Sequence, residues 1–136
     1  MNICKLMLQL YSEDPGPKAM SMQKAMATLM HLSQKPDLGK VVVMEEGIEI
    51  IGYAILVNFW SNEYGGVVIH IDELFVTVPY RSKGIGTGFV QYVIATKTEE
   101  VVCLQLEVTP DNQRAKKLYQ RLGFKKKSNL AYELEL

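Results

Sequence analysis

The run Arg81-Ser82-Lys83-Gly84-Ile85-Gly86-Thr87-Gly88 constrains this chain more than any other segment. Before it, Val67 to Val78 is almost all apolar or β-branched and reads as a buried strand. After it, Phe89 to Thr98 has no Gly or Pro and continues a helix opened near Gly84. A strand, a glycine turn and a helix in that order bring backbone N–H groups together at a helix N-terminus, where the peptide dipoles favour an anion. Glycine suits the turn because a Cβ would hold a phosphate away from the amides. Arg81 and Lys83 add positive charge, the arginine as a two-pronged donor to phosphate oxygens. The segment points to phosphate or pyrophosphate binding.

Two common phosphate loops do not fit. A Walker loop needs Gly-x4-Gly-Lys-Ser/Thr, and no such run occurs. A dinucleotide fingerprint needs Gly-x-Gly-x-x-Gly, whereas the third glycine, Gly88, comes one residue early. Glu99 and Glu100 follow the helix directly rather than ending a second strand, so the ribose-binding acid is missing as well.

The rest of the chain reads as one domain over residues 1–136, with 48% hydrophobic residues to fill a single core. Fifteen basic and fifteen acidic residues cancel, which argues against a nucleic-acid surface. No long apolar stretch suggests a signal or a membrane span, so a cytoplasmic protein is expected. Cys4 and Cys103 lack disulfide or metal-site spacing and read as free core thiols, and no metal is expected.

Apolar periodicity predicts helices over 3–11 and 21–34, the second with Met22, Met26, Leu29 and Met30 as its core face. Strands over 40–44 and 48–59 flank a Glu45-Glu46-Gly47 hairpin turn. A helix over 84–98, a strand over 101–108, a helix over 112–122 and short strands near 124–127 and 130–136 complete a mixed α/β domain.

Arg81-x-x-Gly84-x-Gly86 resembles the acyl-CoA pyrophosphate loop of the GNAT superfamily of N-acetyltransferases. A second block, Asn112-x-x-Ala115-x-x-Leu118-Tyr119-x-x-x-Gly123-Phe124, resembles the family's matching segment at every marked position. The resemblance covers roughly 41–136 and implies the α+β GNAT fold, a mostly antiparallel sheet flanked by helices. That fold opens with a strand, yet here the chain starts inside the first helix. Either the first strand is absent, or this is a fragment or an alternative start; an absent strand would expose a sheet edge and make a homodimer the expectation.

It also implies an acetyl-CoA-dependent enzyme and a site. The pantetheine arm would pair with Phe75, Val76 and Val78 like an added strand. Pyrophosphate would lie against Arg81, Ser82, Lys83, Gly84, Ile85, Gly86, Thr87 and Gly88, with Asn112 on the pantetheine amide and Lys116 towards the phosphates. Tyr119 would be the proton donor to the departing thiolate.

The attacking amine must be neutral, and an aliphatic ammonium with pKa near ~10 has only about one molecule in ~10³ neutral at pH 7. Asp72 and Glu73, unexpected acids in a buried strand, are the candidates to bind or deprotonate it. Alternation lets one of them face the acceptor unless a bulge intervenes. His70 reads as a structural side chain or a proton relay. The acid pair, and the segment Phe59 to Gly66, resemble the spermidine/spermine acetyltransferases, with Trp60, Glu63 and Tyr64 as an acceptor wall or dimer contacts. The expected function is acetyl transfer to a small cationic primary amine. Acylation of a protein N-terminus, a lysine or an aminoglycoside, and a noncatalytic acyl-CoA-sensing module, are the alternatives.

Overall fold

The computed structural model describes residues 2–136. The elements run α1 (Asn2–Glu13), α2 (Met22–Gln34), β1 (Gly39–Glu46), β2 (Glu49–Ser61), β3 (Gly66–Val76), a 3-10 turn (Val78–Tyr80), α3 (Ile85–Thr96), β4 (Val101–Leu106) and α4 (Gln113–Arg121). The four strands form one sheet in sequence order. β1–β2 and β2–β3 are antiparallel, and β3–β4 is parallel across the α3 connection.

Side-chain alternation splits the core into two layers. Ala54, Leu56, Ile69 and Ile71 pack under Phe89, Val90 and Val93 of α3. Tyr53, Ile55 and Phe75 pack with Cys4, Leu6 and Met7 of α1 and Ala25 of α2. The GNAT-like α+β architecture expected from the sequence is the one observed. Gly47 makes the expected hairpin turn with φ +62°.

One register shift positions the site. In the β2–β3 ladder Ile55 opposes Glu73 and Leu56 opposes Ile71, so Asp72 is an extra, bulged residue. Before the bulge, Ile69 and Ile71 face α3; after it, Phe75 faces α1 and α2. The bulge reverses which side odd-numbered residues face and sends Glu73 towards the α1 layer, where α1 and β2 hydroxyls meet it.

Four expectations change. Met26 and Met30 of α2 are 55% and 62% exposed, and Met22 is exposed too; the buried stripe is Ala25 with Leu29 and Leu32 behind it. β3 ends at Val76 because Pro79 lacks a ladder donor, leaving Val78 in the 3-10 turn. No strand forms at 124–127 or 130–136 among the described residues, and Leu130, Tyr132, Leu134 and Leu136 are exposed. Their alternation suits a half-buried strand, but a strand needs a sheet to accept it. β4 therefore stays at the sheet edge and Cys103 is half-buried rather than core, while Cys4 is buried.

Candidate active site

β3 and β4 pair only as far as Ile71 and Leu106. β3 then continues to Val76 beside β2 alone, so its other side opens as a cleft of about 720 Å³. Thr77 N–H bonds Ile51 O on β2 at 2.9 Å. By strict alternation Phe75 also points its backbone at β2, and the Leu74 and Val76 backbone groups face the cleft. Phe75 lines the cleft, but its backbone hydrogen-bonding groups are turned away from it.

The loop after β3 forms the cleft's anion-binding end. Ser82 (φ +62°) and Gly84 (φ +80°) are both left-handed, and a Cβ on Gly84 would meet nothing within 4 Å. Gly84 caps α3, so the N–H groups of Ile85, Gly86 and Thr87 have no helical carbonyl to bond. The next, Gly88 N–H, closes the first turn on Gly84 O at 2.9 Å. A Cβ on Gly86 would stand 3.2 Å from Leu118 Cδ2, so this glycine lets α4 approach α3.

Arg81 lines the cleft, but its fork is held by the protein. Its Nε donates to Val76 O at 2.7 Å, a terminal nitrogen donates to Glu13 Oε1 at 2.7 Å, and the guanidinium lies 5.2 Å over the Phe75 ring. Lys83 lies over the Tyr80 ring, off the cleft lining. The cleft's other cations are Arg114, Lys117 and Arg121, which share one face of α4; Lys116, the expected phosphate contact, is off the lining. Val78 and Gly88 are off it too, whereas Val76, Ser82, Gly84, Ile85, Gly86, Thr87, Asn112 and Tyr119 are on it.

Asn112 Oδ1 caps α4 by accepting Ala115 N–H at 3.1 Å, which leaves its amide NH₂ to donate to a ligand. Tyr119 walls the cleft with its ring edge-on to Phe124 at 5.5 Å. Burial pushes its hydroxyl up to about 12, which keeps the proton on it.

Glu73 is the focus of the α1 side. Tyr11 Oη donates to its Oε2 at 2.6 Å and Tyr53 Oη to its Oε1 at 2.7 Å. Burial raises the Glu73 carboxyl above its ordinary value, against those two bonds; neighbouring Asp72 pushes the same way. Both phenols are also raised, by burial first and then by the bond to Glu73. Asp72 is exposed, with His70 Nε2 4.0 Å from its Oδ1.

Trp60, Glu63 and Tyr64 are not brought to the cleft. They lie at the β2–β3 turn, the opposite end of β3, about 30 Å along the strand at ~3.3 Å per residue. Sequence reasoning missed Tyr11, Tyr53, Glu13 and the α4 stripe. The tyrosines and Glu13 meet the site only through tertiary packing, and the stripe sits inside a segment read for its Asn, Ala and Tyr positions.

Residues 4–124 match the model of the acetyltransferase (GNAT) family. The chain belongs to this family. It is an acetyl-CoA-dependent N-acetyltransferase, with acetyl-CoA as cosubstrate. The cleft suits that molecule: unpaired N–H groups and α4 cations at one end for phosphates, and an open strand edge for an amide-bearing arm. Among solved structures, an integron cassette protein from the mobile metagenome of Cole Harbour Salt Marsh is 28% identical. Its TM-score is 0.79, over 99% of this chain and 83% of that one. A possible acetyltransferase from Clostridium difficile 630 is 26% identical with a TM-score of 0.85, over 99% and 90% of the two chains. An aminoglycoside N-acetyltransferase in complex with CoA shares the fold at 18% identity and a TM-score of 0.79, over 98% and 86%. Among the described residues, no helix is long and apolar enough to cross a membrane.

Proposed function

We propose that this GNAT enzyme moves acetyl directly from acetyl-CoA to the primary amine of a small cationic acceptor, polyamine-like or amino-acid-like. One observation carries the reading: Glu73, a half-buried carboxylate held by Tyr11 and Tyr53, stands in the stretch of β3 that β4 leaves unpaired. A carboxylate there attracts an ammonium, and its raised pKa makes it a better proton acceptor.

The other groups divide the remaining work. Leu74 N–H, facing the cleft, meets the thioester oxygen and stabilises the charge that develops on it. The Asn112 NH₂ bonds the pantetheine arm. The first turn of α3 and the Arg114, Lys117 and Arg121 stripe take the phosphates. Tyr119 supports the leaving sulfur. Its pKa of about 12 lies above the ~8.5 of a free thiol, so full proton transfer is uphill, and the hydroxyl acts by a hydrogen bond to the thiolate. Neither Cys4 nor Cys103 lines the cleft, which supports direct transfer over a cysteine acyl intermediate. A cytoplasmic location and a homodimer belong to the same proposal. The outer edge of β1, unpaired among the described residues, supports the second.

The test is thiol release from acetyl-CoA across polyamines, amino acids, aminoglycosides and basic peptides. Release that depends on a small cationic amine is the expected result. Release only with a basic peptide or an aminoglycoside would replace the acceptor, and binding of acetyl-CoA without release would favour a sensing role.

A further inference from the structure

Each oxygen of Glu73 already accepts a phenol hydrogen, so a tyrosine stands on both sides of the carboxylate. The two tyrosines differ in access. Tyr53 is 0% exposed. Tyr11 is half-buried in the last turn of α1 and walls a second depression of about 370 Å³, together with Leu8, Pro15, Ala19 and Met20. Lys18 on the same depression is paired with Glu135 at 2.6 Å, so its charge is countered.

A phenol has one hydrogen and two lone pairs. The Tyr11 hydrogen is committed to Glu73, so its oxygen has only lone pairs left to offer. Such a group accepts from an ammonium N–H and has no hydrogen for an anionic or carbonyl atom. The carboxylate behind it adds Coulomb attraction for the same cation.

We propose that Tyr11 is the residue that receives the acceptor ammonium and passes its proton to Glu73, with the acceptor's body in the depression on the α1–α2 connection. This inference rests on the transferase reading above. In the step, the ammonium N–H bond breaks as an O–H bond forms on the Tyr11 oxygen, while the original Tyr11 proton moves to Glu73 Oε2. The amine keeps the electron pair and is neutral, Tyr11 ends with one hydrogen, and Glu73 ends as the neutral acid. The apolar walls Leu8, Pro15 and Met20 favour an acceptor with hydrocarbon beside its amine.

Tyr11→Phe tests it through the pH profile of amine kcat/KM, with acetyl-CoA affinity and thermal melting alongside. The ionisable groups bearing on Glu73 are Tyr11 from α1, Tyr53 from β2 and Asp72 from β3. Losing the Tyr11 bond raises the Glu73 pKa, so the acid limb moves to higher pH. A relay also lowers the plateau roughly 100-fold while acetyl-CoA affinity holds. A merely supporting Tyr11 moves the limb and leaves the plateau, and that result overturns the proposal. Ala19→Trp, at an exposed position, fills the depression without touching the hydrogen bonds. It should raise the amine KM alone, and an unchanged KM removes the depression from the acceptor path. A wild-type protein that releases no thiol with any amine fails the transferase reading itself, a result distinct from either variant's.

Discussion

Replacing Gly84 by alanine separates ligand binding from folding. Gly84 sits at φ +80° with open space where a Cβ would stand. Its folded-state penalty is therefore the left-handed backbone alone, about 1–2 kcal/mol for an L-residue. Gly47, in the β1–β2 turn, is a matched control at φ +62° with equally open surroundings. Alanine at either position should lower Tm similarly, by roughly 3–6 °C for a chain of this size. The two part at the ligand, because Gly84 lines the cleft and Gly47 does not. A methyl group at 84 separates a phosphate oxygen from the amides, and losing one charge-assisted bond costs about 1.5–3 kcal/mol. The acetyl-CoA Kd should rise roughly tenfold to a hundredfold for Gly84→Ala and stay put for Gly47→Ala. Calorimetric titration and thermal melts of both variants decide it. Matching melts with an unchanged Kd for Gly84→Ala would refute the phosphate role of this loop.

Three further outcomes are expected. Tyr119→Phe should lower kcat about 100-fold in single-turnover assays with acetyl-CoA affinity unchanged; equal kcat would take the hydroxyl off the sulfur. Glu73→Gln should abolish amine turnover, and its Tm relative to wild-type should climb with pH. Its raised folded pKa means the native state binds that proton more tightly, so wild-type loses stability as pH climbs from the ordinary 4.5 through the raised value. The Tm gap between the two should widen over that window, and a gap independent of pH would contradict the assignment. Arg81→Ala, which frees Glu13, Val76 O and the Phe75 ring, should cost about 2–3 kcal/mol in urea unfolding, with Arg81→Lys recovering little of it.

Much of the fold was legible because local chemistry dictated it. The glycine turn opens α3 as its composition requires, and the Gly47 turn joins β1 to β2. What escaped the sequence depends on partners far along the chain. Arg81 looks like a phosphate clamp by composition, and only the fold brings it Glu13, 68 residues away. Tyr11 reads as one more residue of an amphipathic helix until Glu73 arrives from 62 residues on. α2 carries two adjacent apolar stripes, Met22–Met26–Met30 and Ala25–Leu29–Leu32, and periodicity cannot choose between them. The packing of α1 selects the second. Lys116 and Lys117 are neighbours of one type, and the helix phase alone turns the latter to the cleft.

Asp72 is slack built into β3. The ladder on either side of it is regular, with Ile71 opposite Leu56 and Glu73 opposite Ile55, so the extra residue belongs to neither run. Deleting Asp72 would make Ile71 and Glu73 neighbours in an unbroken ladder, and both would keep their faces, Ile71 under α3 and Glu73 towards Tyr11 and Tyr53. What would go is the kink and added twist that a bulge gives a strand. The strand can lose this one residue and still hold its carboxylate on the same side of the sheet.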